Sequence, residues 1–270
     1  MLQKVEVYSY AGYKVYTFAV AESVQSDYIV TDITGLAPVK SEFGLNPHIN
    51  YSGSAVQSTR VGPRNILITL RYGVGPGQIE RARQYLYRYL DPKSPVTLRF
   101  IYDDGNTYII RAFIEDSDTT IFDKDPKLVL NFLCPDPYFY SPSTLTFSMK
   151  TGDTIADRFA LGNAETGVYL VISGNPNASY YEISNGIDDP LIWFGKLATG
   201  QSLEVSTVMG NKYIKIRNPD GSQTSGLSGI TDGTMNLTVG GVRNYFSVRS
   251  QSSAVPVSYT LSVLPKWVGL

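Results

Sequence analysis

Between Arg64 and Tyr72 the chain alternates. Ile66, Ile68, Leu70 and Tyr72 fall on one side and Leu67, Thr69 and Arg71 on the other, the period of two expected of a strand with one buried face. After the turn signal Gly75-Pro76-Gly77 the period changes. Ile79, Ala82, Leu86, Tyr89 and Leu90 recur at helical spacings while Glu80, Arg81, Gln84 and Arg88 take the opposite side, which predicts an amphipathic helix of about four turns lying across a sheet. Asp91-Pro92 stops it, because proline cannot donate into a helix and disfavours helical geometry in the residue before it. Val96, Leu98, Phe100 and Tyr102 then resume the alternation. No other segment has a convincing helical period, so strands must do the rest of the packing.

The segments on either side read as strands and turns. Val5, Val7 and Tyr8 open a first strand, Ala11-Gly12 turns it, and residues 13–19 complete an N-terminal hairpin; Tyr28, Val30 and Ile33 make a third strand. From Ala37 to Arg60 the pattern fades among Pro, Gly, Asn and Ser, which predicts a long loop or a loosely held hairpin suited to contacts. Asp103-Asp104-Gly105-Asn106 is a hairpin turn, because glycine and asparagine tolerate positive φ. An acidic loop over 115–125 precedes a last strand, 128–133. Pro135-Asp136-Pro137 cannot sit inside a sheet and marks a domain boundary. Beyond it, short strands are expected at 145–149, 168–173, 180–183, 191–194, 203–206, 213–217, 237–239, 245–249 and 257–264, separated by turns such as Asn218-Pro219-Asp220-Gly221. The expectation is a mostly β protein of two domains. Residues 1–136 form a β-sandwich or split barrel with one α-helix, and residues 137–270 form a β-sandwich of jelly-roll type.

Composition agrees with many short strands: the 270 residues include 20 Tyr, 24 Gly and 15 Pro. A formal charge of −1, with neither half strongly basic, gives no sign of nucleic-acid binding through a cationic face. The single cysteine, Cys134, excludes an internal disulfide and reads as a small buried hydrophobe. No stretch approaches the roughly 20 apolar residues of a membrane-spanning helix, and the first residues alternate where a secretory leader would be continuously apolar. A soluble chain with no membrane insertion is expected.

Candidate chemistry is sparse. His48 is the only histidine, so a site needing two imidazoles is excluded, and its Pro/Asn-rich surroundings suggest a contact residue more than a general base. The acidic turns lack the ligand spacing and obligatory glycine of a calcium loop. Gly73 to Gly77 precedes a helix without the lysine and hydroxyl of a phosphate loop. No catalytic, cofactor or metal site is assigned. Trp193 and Tyr181 are weighed as walls of a sugar groove against the commoner role of aromatics in a sandwich core.

The order of several phrases resembles one family. SYAGYKVYTF, YIVTDITGLAP, VGPRNILITLRY, PVTLRFIYDDG and CPDPYFYS, followed by GNAETGVYLVISG, ISNGIDDPLIWF and LATGQSLEVSTVMGNKYIKI, together resemble the distal tail proteins of long-tailed, non-contractile bacteriophages. The resemblance implies a homo-hexameric ring built by the first domain and a galectin-like sandwich at its periphery. It also implies a place in the virion tail after assembly in the host cytoplasm. The expected partners are the major tail tube protein, a tail-tip protein and, in some phages, receptor-binding proteins, with DNA passing only in transit. Lys40, Glu42, His48, Tyr51, Arg60 and Arg64 are then the candidates for ring or tube contacts. Glu115, Asp116, Asp118 and Asp123 are candidates for an acidic channel lining, although Lys124 and Lys127 interrupt it. The reading from composition that competes with it is a carbohydrate-binding protein using the second domain.

Overall fold

In the computed structural model, β1 (Leu2–Tyr8) pairs with β2 (Lys14–Ala19) as the expected N-terminal hairpin, with Val5 opposite Phe18 and Val7 opposite Tyr16. The structure describes residues 1–48, 52–120, 126–155, 161–233, 235–242, 245–250 and 256–270. It divides into two units, Met1–Pro142 with Val268–Leu270, and Ser143–Trp267.

In the first unit, β1 and β2 are followed by β3 (Tyr28–Thr34), β4 (Ser41–Pro47), β5 (Ser54–Val61), β6 (Arg64–Tyr72), α1 (Ile79–Tyr87), β7 (Val96–Tyr102), β8 (Thr107–Thr119), β9 (Lys127–Cys134) and β10 (Phe139–Tyr140). The spatial order is β8-β7-β1-β2-β3-β6-β9, and β9 pairs again with β8, so seven strands close into a barrel. A sandwich or split barrel was expected; closure comes from one long strand. Residues 107–112 of β8 pair with β7 and residues 113–119 with β9, with a register shift between Ile114 and Asp116 just past the changeover. A bulge bends the strand and increases its twist, which lets a single strand serve both sides of a seam. Glu115, Asp116 and Asp118 therefore lie on a strand, and the acidic loop expected over 115–125 is corrected to that extent. Residues 121–125 lie outside the described residues.

Alternation fills the barrel. Ile66, Ile68 and Leu70 of β6 meet Val5, Phe18 and Phe100 in the interior, all at most 1% exposed. Each such side chain contributes roughly 1.5–3 kcal/mol of burial free energy.

The helix packs against β2 and β3 through Ala82 and Leu86, its two buried residues. Two tyrosine hydroxyls tie it down: Tyr16 donates to the carbonyls of Tyr85 (2.7 Å) and Leu86 (3.0 Å), and Tyr28 to that of Ala82 (2.8 Å). It has nine residues, shorter than the four turns predicted. Tyr16 takes carbonyls that another turn would use, while the amides of Arg88 and Tyr89 bond back over three residues, to Tyr85 and Leu86.

The second unit contains β11 (Leu145–Lys150), β12 (Thr154–Ile155), β13 (Thr166–Ser173), β14 (Tyr180–Ser184), β15 (Leu191–Phe194), β16 (Ser202–Ser206), β17 (Tyr213–Arg217), β18 (Gln223–Ser225), β19 (Ile230–Asp232), β20 (Thr238–Val239), β21 (Phe246–Ser250) and β22 (Ser258–Val263). One sheet runs β11-β22-β13-β16-β17-β18, with β20 added to β13, and the other β12-β21-β14-β15-β19. Both contribute to one buried cluster that includes Leu170, Tyr181, Trp193, Val205 and Leu261. The nine expected strands are all present. β12, β18 and β19 were not anticipated, because two or three residues are too few to display a period.

Candidate assembly surface

In the segment where the sequence pattern faded, β4 and β5 form a two-stranded ribbon. β4 and β5 pair only with each other, from Ser41 opposite Val61 to Pro47 opposite Ser54, and neither joins the barrel sheet. Alternation along β4, and a register shift between Gly44 and Leu45 that brings Val56 opposite Leu45, give the ribbon two unlike faces. Phe43 and Leu45 of β4 share one face with Val56 and Val61 of β5, while Glu42 stands opposite Arg60 on the other. Phe43, Leu45 and Val56 are 57%, 59% and 58% exposed. A contiguous apolar stripe left open in this way marks an interaction surface.

The residues expected at ring or tube contacts separate into two groups. Lys40, Glu42 and Arg60 are exposed on or beside the ribbon, and His48 ends it half-buried, its amide bonded to the Gly53 carbonyl at 3.2 Å. Tyr51 lies outside the described residues. Arg64 does not belong with them: it is 2% exposed and serves the fold. Its guanidinium donates to the carbonyls of Pro137 (2.7 Å), Gly35 (2.6 Å), Ala37 (2.8 Å) and Val268, and stacks over the Phe139 ring at 4.5 Å. An arginine in a strand otherwise reading as edge or core gives no sequence hint of this role, since the four acceptors come from three distant segments. Gly35 is a structural necessity there. It has φ of +86°, and a Cβ would sit 2.0 Å from the Asn65 carbonyl oxygen. Sequence reasoning also missed the apolar side of the ribbon, although the alternation of Phe43 and Leu45 was available to find it.

Among the acidic candidates, Glu115 is held by two amides. Asn65 Nδ2 and Asn131 Nδ2 donate to its Oε2 at 2.9 and 2.8 Å. Asp116 and Asp118 are exposed on β8, and Asp123 lies outside the described residues. Cys134 is fully buried, which pushes its thiol up to about 12 despite the opposing charge of Arg64. Tyr181 and Trp193 are core residues, 0% and 2% exposed, and the indole N–H of Trp193 donates to the Gly226 carbonyl at 2.8 Å. Among the described residues no three His, Cys, Asp or Glu side chains are grouped to hold a metal ion, and no helix is long and apolar enough to cross a membrane.

No known protein-family profile matches the chain, and no curated protein sequence matches it. Solved structures do. The crystal structure of the Dit protein (gp 19.1) of phage SPP1, described as a paradigm of the hub adsorption apparatus in phages infecting Gram-positive bacteria, aligns over 96% of this chain and 98% of its own. The TM-score is 0.62 and the identity 16%. Chains in two structures of the phage P2 baseplate in its activated conformation, with Ca and with Sr, also align. The first covers 97% of this chain and 98% of its own at a TM-score of 0.39, the second 96% and 97% at 0.40, each 7% identical. The SPP1 match carries the comparison: the resemblance to phage distal tail proteins read in the sequence holds for the fold, along nearly the whole chain.

Proposed function

We propose that this protein is a structural hub of a bacteriophage tail. Six copies form a ring through the first unit, and the ring joins the end of the tail tube to the tail-tip and host-recognition apparatus. The observation that carries the reading is the β4–β5 ribbon, whose apolar face stands exposed among the described residues, on a fold shared with a phage hub protein. A neighbouring copy is the occupant such a ribbon suits in a symmetrical ring, because every copy then both offers and receives one. The second unit, read as a galectin-like sandwich, lies at the ring's periphery, available to tail-tip or receptor-binding proteins. The exposed Asp116 and Asp118, with Glu115, face transiting DNA and repel it. The hub has no catalytic task and needs no cofactor; it is assembled in the host cytoplasm and carried in the virion tail.

The direct test is the solution mass of the full chain by light scattering across a concentration series, alone and mixed with tail tube protein. A sixfold mass in either sample, reduced to a folded monomer by Phe43→Asp with Leu45→Asp, is the expected outcome. A monomer under both conditions, or a hexamer indifferent to the double substitution, counts against the ribbon as the ring contact. Charge reversal of Asp116 and Asp118 is expected to impair DNA ejection and leave tail assembly intact; normal ejection would remove the channel role.

A further inference from the structure

The two ends of the barrel are unlike. β3 begins at Tyr28, whose hydroxyl is bonded to α1, and runs to Thr34; β6 begins at Arg64, bonded to the Gly35 carbonyl, and returns to Tyr72 opposite Tyr28. The ribbon connects the far ends of these two strands, so it leaves the barrel at the end opposite α1. The α1 end is aromatic. Tyr16 of β2 meets the rings of Tyr85 and Tyr89 edge-on at 5.7 and 6.0 Å, and those two meet each other at 5.9 Å. Tyr16 is buried beneath them, while Tyr85 and Tyr89 are exposed. The turn between β1 and β2, just before Tyr16, reaches the same end and holds Tyr10 and Tyr13 open to solvent, 76% and 73% exposed.

A single exposed tyrosine is ordinary, but four at one end of a barrel form an aromatic patch. Tyrosine suits an interface because its ring buries a large apolar area while its hydroxyl keeps a polar partner. Contact with Tyr16 already holds two of the four rings, which leaves less side-chain freedom to lose on association. The matching surface is the chain's own: Phe43, Leu45 and Val56 on the ribbon are apolar and open. Ribbon against ribbon would be a two-fold contact and stop at two copies. Ribbon against the α1 end leaves one free ribbon and one free aromatic end on every pair, the head-to-tail geometry that closes into a ring. Building on the hub reading, we infer that the aromatic end of one copy, formed by Tyr10, Tyr13, Tyr85 and Tyr89, receives the apolar face of the next copy's ribbon.

The test mixes two broken copies of the full chain and follows their mass by light scattering, alone or with tail tube protein, whichever assembles the unsubstituted chain. Phe43→Asp with Leu45→Asp disables the ribbon, and Tyr13→Asp with Tyr85→Asp disables the aromatic end. Each variant by itself is expected to be a folded monomer. Their equimolar mixture is expected to reach twice the monomer mass and stop, because only one of the two contacts between them is intact. If Tyr85→Asp prevents folding, Tyr10→Asp with Tyr13→Asp takes its place, since neither of those side chains packs in the core. A sixfold mass for the folded aromatic variant, or a mixture that stays monomeric, overturns this contact and leaves the hub reading standing. An unsubstituted chain that assembles under neither condition removes both.

Discussion

The β4–β5 ribbon and β6 are neighbours in sequence, and each carries one apolar and one polar face, yet their fates are opposite. Every second residue of β6 is buried inside the barrel, whereas β4 and β5 are open along almost their whole length. Alternation therefore specifies a strand with two unlike faces and leaves open what covers the apolar one. In β6 the cover is the same chain, because the sheet closes on itself and turns that face into the barrel interior. In the ribbon no described residue covers it, which is why the proposed function gives that face to a neighbouring copy.

The contrast breaks most visibly under paired truncations. Ile68→Ala empties a fully buried position and is expected to lower the unfolding free energy by about 3 kcal/mol, while Leu45→Ala should stay within about 0.5 kcal/mol of the parent. Urea denaturation of both variants under monomeric conditions checks this; comparable losses would mean the ribbon is packed within the monomer. Next in size is Arg64→Met, expected to cost about 2–3 kcal/mol by stripping buried carbonyls of their donor, with Arg64→Lys recovering little because one ammonium cannot span four acceptors. A near-neutral Arg64→Met would return this residue to the surface role read from the sequence. Tyr28→Phe removes only the hydroxyl bond to the Ala82 carbonyl and should cost about 1 kcal/mol, seen as faster amide exchange in α1.

The smallest expected effect is pH-dependent. Burial alone raises the Glu6 carboxyl, but hydrogen bonds from Lys4 and Tyr8 and the charges of Lys4 and Lys14 outweigh it and hold the group below its ordinary value. A depressed carboxylate contributes stability that is full above its unfolded pKa and is lost as pH falls through the folded one. Stability should thus decline below about pH 4.5, and Glu6→Gln should flatten part of that decline. An acid limb of unchanged slope in Glu6→Gln would assign the loss to other carboxylates.

Much of this was legible in the chain. The strands β1, β2, β6 and β7, the single helix and the main strands of the second unit all follow from the period of their side chains. The phrases that resemble phage distal tail proteins pointed to the fold that the SPP1 comparison bears out. Legibility stopped where a residue's role depended on contacts from afar. Arg64 looked like a surface charge because its four carbonyl acceptors lie near residues 35, 137 and 268, and nothing local announces them. Glu115 looked like part of a loop because the bulge that keeps it on β8 exists only once β9 has paired beside it.

Local sequence determined which segments are strands, where the helix begins, and which side of each element is apolar, since these depend on bond geometry and side-chain spacing within a few residues. Tertiary structure alone decided that the first sheet closes on itself, that the ribbon stays outside it, and that the exposed tyrosines gather at the opposite end of the barrel. Each of these turns on pairings between residues far apart in the chain, whose free energy no short stretch contains.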